Sequence, residues 1–295
     1  FYKIAWLVSV VLLVLVLLIG TEVNNATRWI KITESFSFQP SEIVKFLMIV
    51  FYAGILTRDR DELGNFWMGL VKHICMLAPI IVLLLLEPHF SVSIVILGTC
   101  CIMMIMAGCK FWQFASAGIS IGVPAIVGMV MMADYRLARV TTFLNPWSDP
   151  TDSGWQIIQS LYAIGSGGLF GLGLGESNQK YLYLSEPQND FIFAIIAEEL
   201  GFVGCIFVIV LFAILIWRGI LIAMKAPDMF GSLIAVGITS LIAIQVIINI
   251  AVVTSSMPVT GMPLPFFSYG GTSLLILLCE IGVLLNISRA ANSGT

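Results

Sequence analysis

The chain has 295 residues, of which 59% are hydrophobic and 11% charged, with a mean hydropathy of +1.02. That composition excludes an ordinary water-soluble domain, and at about 20 apolar residues per crossing it suffices for roughly eight spanning helices. The net charge of −3 comes from 14 basic and 17 acidic residues spread without like-charge runs, which excludes nucleic acid as a partner.

Eight apolar blocks follow in chain order, near 1–20, 40–56, 68–87, 90–108, 113–132, 191–217, 229–254 and 270–288. They predict an all-α, polytopic integral membrane protein with about eight transmembrane helices. Phe1 to Gly20 has the full membrane length without a small-residue cleavage pattern, so it reads as a spanning helix and not as a signal peptide. The six cysteines lie in or beside apolar runs, contain no CxxC, and read as small buried hydrophobes.

One connection is anomalous: the stretch from Ala133 to Asp190 has nearly 60 residues, a length that usually signals function. If the chain starts in the cytoplasm, eight basic residues fall on the inner side and five on the outer, with Lys45 inside a helix. The inner eight are Lys3, Arg58, Arg60, Lys72, Lys110, Arg218, Lys225 and Arg289. Short-loop positive charge favours this orientation, which places the long loop and the 21–39 and 255–269 connections outside.

Ionisable residues in or beside spans carry the functional candidates, because each is expensive in a bilayer. Asp190 stands where the polar loop becomes the FIFAII helix, placed either to cap that helix or to do chemistry from its lip. Glu198 and Glu199 follow on the same helix, roughly 12 to 14 Å deeper at about 1.5 Å per residue, either lining a cavity or satisfied by neighbours. Glu280 carries the same two readings. In QPSEIVKF, Glu42 and Lys45 are three apart on one helix face, as an ion pair or a substrate contact. Arg28, Trp29 and Lys31 form a cation and aromatic group, either an interfacial anchor or a contact for phosphate or sugar.

The glycines at 165, 167, 168, 171, 173 and 175 lack the preceding strand and the GK[ST] of a nucleotide loop, and serve turning and close packing instead. Ser256 to Gly271 is dense in Pro and Gly, and at membrane depth such backbone lines a cavity or packs on protein. His73 and His89 are too far apart to suggest a metal pair.

Together these strings resemble the SEDS family (shape, elongation, division and sporulation), the peptidoglycan polymerases that include FtsW, RodA and SpoVE. The matching strings are ATRWI, QPSEIVKF, YRLARV, NPWSDP, QSLYAIGSGGLFGLGLG, NDFIFAIIAEELG and PVTGMPLPFFSYGGTS, in family order across nearly the whole chain. NPW and the pair Gln179 and Lys180 are more similar to the FtsW and SpoVE branch. Two departures stand out: Ser185, Glu186, Pro187, Gln188 and Asn189 precede the acid where the family commonly has LPE and HTD. Glu87, Pro88 and His89 replace its frequent QPD.

The resemblance implies one SEDS-type transmembrane domain over 1–295, part of a ten-helix fold whose first two helices precede this chain, with 133–190 as its large extracellular loop. It implies a multi-pass protein of the bacterial cytoplasmic membrane that joins lipid II molecules into β-1,4 glycan at the outer face, for division or sporulation. Asp190 corresponds to the family's essential acid and is expected to be catalytic. Arg28, Trp29, Glu42, Lys45, Arg136, Arg139, Lys180, Glu186 and Ser268 are the expected substrate contacts, with Lys45 and Arg136 ranked first for the leaving pyrophosphate. A divalent cation, Mg or Mn, held with Glu186 is the alternative source of positive charge. The implied partner is a class B penicillin-binding protein, a transpeptidase, besides membrane lipids. A lipid-linked precursor flippase or transporter is the alternative function, since buried ion pairs and broken helices suit transport too. Against it, no inverted repeat is apparent in the sequence.

Overall fold

The computed structural model describes the chain except residues 1, 24–25, 34–35, most of 119–140, 151–153, 180–187 and 294–295. Among the described residues, seven helices are long and apolar enough to cross a membrane, and they coincide with seven of the eight apolar blocks. The block at 113–132 lies mostly outside the described residues, apart from the short helix α5 (Phe111–Ala117). Contacts divide the chain into two compact units, one of residues 1–116, 216–244 and 270–295, the other of 117–215 and 245–269.

The first unit contains α1 (Tyr2–Ile19), α2 (Pro40–Arg58), α3 (Lys72–Leu86) and α4 (Phe90–Ala107). Pro40 opens α2 at a position where its missing N–H has no helical partner to lose, and Glu42 in the first turn suits the positive end of the helix dipole. α1 and α4 pack along α2, whose positions from Pro40 to Leu56 are mostly buried. Polar groups within the spans find internal partners, as a bilayer demands. The Trp6 indole donates to the Met76 carbonyl at 2.9 Å, and the buried Tyr52 hydroxyl donates to that of His73 at 2.8 Å. Where α2 ends, Asp59 accepts from Lys72 at 2.7 Å and lies 3.5 Å from the His73 ring.

The connection 21–39, expected as a polar loop, instead forms a small antiparallel sheet of β1 (Thr21–Val23), β2 (Ala26–Thr33) and β3 (Phe36–Phe38) in the order β1-β2-β3. Its register pairs Thr21 with Trp29 and Ile30 with Phe38. β-Branched and aromatic residues such as Thr27, Trp29, Ile30, Ile32 and Thr33 favour strands, a signal the reading of 21–39 as a polar connection did not use.

The second unit is built on α6 (Trp155–Gly167) and on the first part of α7 (Ile192–Lys225), which breaks at Gly201 with φ +67° and ψ −166°. A break strands backbone groups on both sides, and the glycine-rich loop after α6 satisfies four of them. Leu172 and Gly173 donate to the carbonyls of Glu198 and Glu199 at 3.0 and 3.1 Å. Phe202 and Val203 donate to those of Gly168 and Leu169 at 2.9 and 3.1 Å. The loop and the broken helix therefore act as one piece, and the close packing expected of these glycines has a specific object. α8 (Met229–Val253) passes from the first unit to the second, and α9 (Gly271–Ser293) closes the first.

Candidate active site

In the second unit, Asp190 is half-buried in the turn that leads into α7. Three consecutive carbonyls of this turn are held by the 249–269 segment. The Tyr269 amide donates to Gln188 at 2.8 Å, the Ser268 hydroxyl to Asn189 at 2.5 Å, and the Asn249 side-chain amide to Asp190 at 2.8 Å. The second hydrogen of the Asn249 amide reaches the Met262 carbonyl at 2.7 Å. Gly261, with φ +67°, lies directly against the carboxylate, since a Cβ there would stand 3.2 Å from Asp190 Oδ2. The Pro- and Gly-rich segment thus packs on the turn that carries the acid, as its inability to continue a helix requires.

Ser268, an expected substrate contact, has its one proton committed to Asn189 and also accepts from the Leu264 amide at 2.7 Å. Glu198 is buried and accepts from the Ser177 hydroxyl at 2.5 Å and from the amides of Asn178 and Gln179 at 3.1 and 3.4 Å. It is satisfied by a loop rather than by neighbouring helices, and it ties down the residues immediately before Lys180. Arg136, Arg139, Lys180 and Glu186 lie outside the described residues.

In the first unit, Glu42 and Lys45 form the expected pair, 2.9 Å apart and both buried. Glu280, buried in α9, lies within electrostatic range of both. Trp29 is half-buried on β2 and Lys31 exposed. Arg28, also half-buried, donates to the carbonyl of Pro88 and so meets the turn between α3 and α4. That turn, outside either span, holds two buried ionisable groups of opposite kind. Burial pushes the Glu87 carboxyl up to about 8 despite the nearby Arg28 charge. Burial, and then the positive charges of Arg28 and Lys45, push His89 down to about 3. Its ring accepts from the Gln39 amide at 2.5 Å, which a neutral imidazole can do. Among the described residues, no group of three or more His, Cys, Asp or Glu side chains gathers to hold a metal ion.

The sequence reading passed over Asn249 and Gly261. A primary amide inside an apolar run was the available signal for Asn249, by the same expense argument that singled out the carboxylates. For Gly261 no signal exists apart from the partner that touches it.

These features define a class: a multi-pass helical membrane protein with an acid at the head of a broken helix, held by a Pro- and Gly-rich segment. A family model described as a cell cycle protein, of the FtsW, RodA and SpoVE type, matches residues 1–293, and the chain belongs to that family. It is 49% identical over 289 residues to stage V sporulation protein E of Bacillus subtilis, covering 97% of this chain and 78% of that protein. A probable peptidoglycan glycosyltransferase FtsW of Trichlorobacter lovleyi is 44% identical over 283 residues, covering 95% and 74%. Among solved structures, a chain of a peptidoglycan synthase complex that coordinates polymerization and crosslinking matches with a TM-score of 0.83, 29% identity, and coverage of 98% of this chain and 81% of that one. The rod shape determining protein RodA of Thermus thermophilus matches with a TM-score of 0.68, 27% identity, and coverage of 98% and 78%.

Proposed function

We propose that the chain is a peptidoglycan glycosyltransferase that polymerises lipid II into β-1,4 glycan strands, with Asp190 as the general base. The observation that supports this reading is the fixed placement of Asp190, whose turn is bound at three successive carbonyls while its carboxylate faces Gly261. An aspartate is ionised at neutral pH and can take the proton of the attacking sugar hydroxyl. That oxygen then bonds to the anomeric carbon of the second lipid II as its bond to pyrophosphate breaks, inverting the carbon and releasing undecaprenyl pyrophosphate.

The departing pyrophosphate needs positive charge, which Arg28, Lys45, Arg136, Arg139 and Lys180 can supply. A divalent cation, Mg or Mn, held with Glu186 is the alternative source of that charge. The active site faces the outside of the bacterial cytoplasmic membrane, and the partner is a class B penicillin-binding protein. The solved relative in a peptidoglycan synthase complex and the excess of basic residues in the other set of loops support these two assignments.

The test is polymerisation of purified lipid II by the full-length protein with its cognate transpeptidase, beside Asp190→Asn shown to fold and to bind the partner equally. Loss of glycan in the variant alone is expected, at about 100-fold or more for a missing base. Equal product from both removes Asp190 from the chemical step. No product from either, across added Mg or Mn, favours lipid transport.

A further inference from the structure

We propose that Asn249 is a positioning residue for Asp190, its single side-chain amide setting the distance between the acid and the backbone wall that faces it. The inference rests on the assignment of Asp190 as the base and adds how that base is kept in place.

An asparagine amide nitrogen carries two hydrogens, and in Asn249 both have acceptors, on two different segments of the site. One is the Asp190 carbonyl at 2.8 Å; the other is the Met262 carbonyl at 2.7 Å. The first bond fixes the peptide plane following the Asp190 α-carbon, and with it the direction in which the side chain leaves the backbone. The second fixes the residue after Gly261, whose α-carbon lies against Oδ2. One planar group therefore bridges the acid and its wall.

The bridge is held firmly for a physical reason. Asn249 is 1% exposed and sits in the apolar helix α8, where a buried amide without acceptors is costly. Giving up either carbonyl strands a donor and an acceptor together. The flanking bonds, Ser268 to Asn189 and the Tyr269 amide to Gln188, extend the same grip by two residues. A reacting hydroxyl needs its base within hydrogen-bond reach, and a shift of about 1 Å can lower turnover by two orders of magnitude. Asn249 touches no reacting atom in this scheme, so its removal should lower kcat and leave KM in place.

The experiment uses the full-length protein with its transpeptidase and lipid II, comparing Asn249→Ala, the near-isosteric Asn249→Asp, and Ser268→Ala, which removes one flanking bond if the Asn249 variants do not fold. Hydrogen exchange is followed over residues 189–193, and kcat and KM are measured with and without Asp190→Asn. The expected result is several-fold faster exchange confined to that stretch. With it, kcat should fall about 10- to 100-fold for the Asn249 variants, and less for Ser268→Ala, at a KM unchanged within about twofold. Combined with Asp190→Asn, Asn249→Ala should cause no further loss. Unchanged exchange, a rise in KM at constant kcat, or an additive loss in the double variant overturns the proposal. If Asp190→Asn alone keeps full turnover, the base assignment fails, and with it the catalytic part of the proposal, while the exchange data still decide whether Asn249 holds the turn.

Discussion

The α-carbon of Gly261 stands against the carboxylate of Asp190: a Cβ built there would lie 3.2 Å from Oδ2, and the glycine's φ is +67°. Gly261→Ala therefore brings two effects together. An L residue in the left-handed region costs about 1–2 kcal/mol, and the added methyl crowds the acid. We expect a melting temperature lower by a few degrees and polymerisation reduced about tenfold or more. Turnover equal to the wild type would show that the wall has no bearing on the acid.

The Glu42–Lys45 pair makes a separable prediction. Lys45→Met leaves a buried carboxylate without its partner, a loss of about 3–5 kcal/mol, whereas replacing both members is often close to neutral. Glu42→Gln with Lys45→Met should therefore restore the resistance to thermal unfolding in detergent that the single variant loses. The resemblance also makes both members expected substrate contacts, which the same variants test. The restored double variant is expected to polymerise lipid II at least about tenfold more slowly, and full activity would leave the pair purely structural.

The turn between α3 and α4 predicts a stability optimum in pH. Glu87 is pushed from its ordinary 4.5 to about 8, so across that window the native state holds a proton that the unfolded chain releases, and stability falls as pH rises. His89 is pushed from 6.5 to about 3, so there the unfolded chain binds the extra proton and stability rises with pH. The two slopes oppose each other between about 4.5 and 6.5, leaving a plateau with a decline on either side. Melting temperatures from about pH 3 to 9 in detergent should show Glu87→Gln removing the alkaline decline, while His89→Asn flattens the acidic one. A profile unchanged by both substitutions would mean that neither group titrates between the folded and unfolded states.

Gly201 is the point where α7 breaks, and a Cβ there would lie 2.3 Å from the backbone nitrogen of Gly171. Gly201→Ala cannot be absorbed by a side-chain movement, since the obstacle is the backbone that satisfies the break. The expected loss is about 3 kcal/mol or more, read as markedly lower yield and melting temperature of the purified protein. A variant as stable as the wild type would show that the loop yields easily.

Much was legible in the sequence because it depends on local composition. Long apolar runs must become helices in a bilayer, since no other single segment satisfies its own backbone there, and seven of the eight blocks do so in the described structure. Glu42 and Lys45 were readable as a pair because three residues apart means one helix face. Asp190 was singled out by standing at the boundary between polar loop and apolar helix, and the match to the FtsW, RodA and SpoVE family accords with the strings that surround it.

The rest was decided by segments distant in the chain. Asn249 lies 59 residues from Asp190, and its role depends on which carbonyls the fold brings within reach of its buried amide. The resemblance offered Ser268 as a substrate contact, and only the fold shows that its hydroxyl donates to Asn189, 79 residues away. Glu87 and His89 were visible as departures from a motif, and His89 as a histidine too far from His73 for a metal pair, but their pKa shifts follow from burial, which no spacing encodes. Periodicity and charge thus determined which segments enter the membrane and which acid stands at its edge. Only the tertiary structure decided what holds that acid, because a buried polar group takes whichever partner the packing presents.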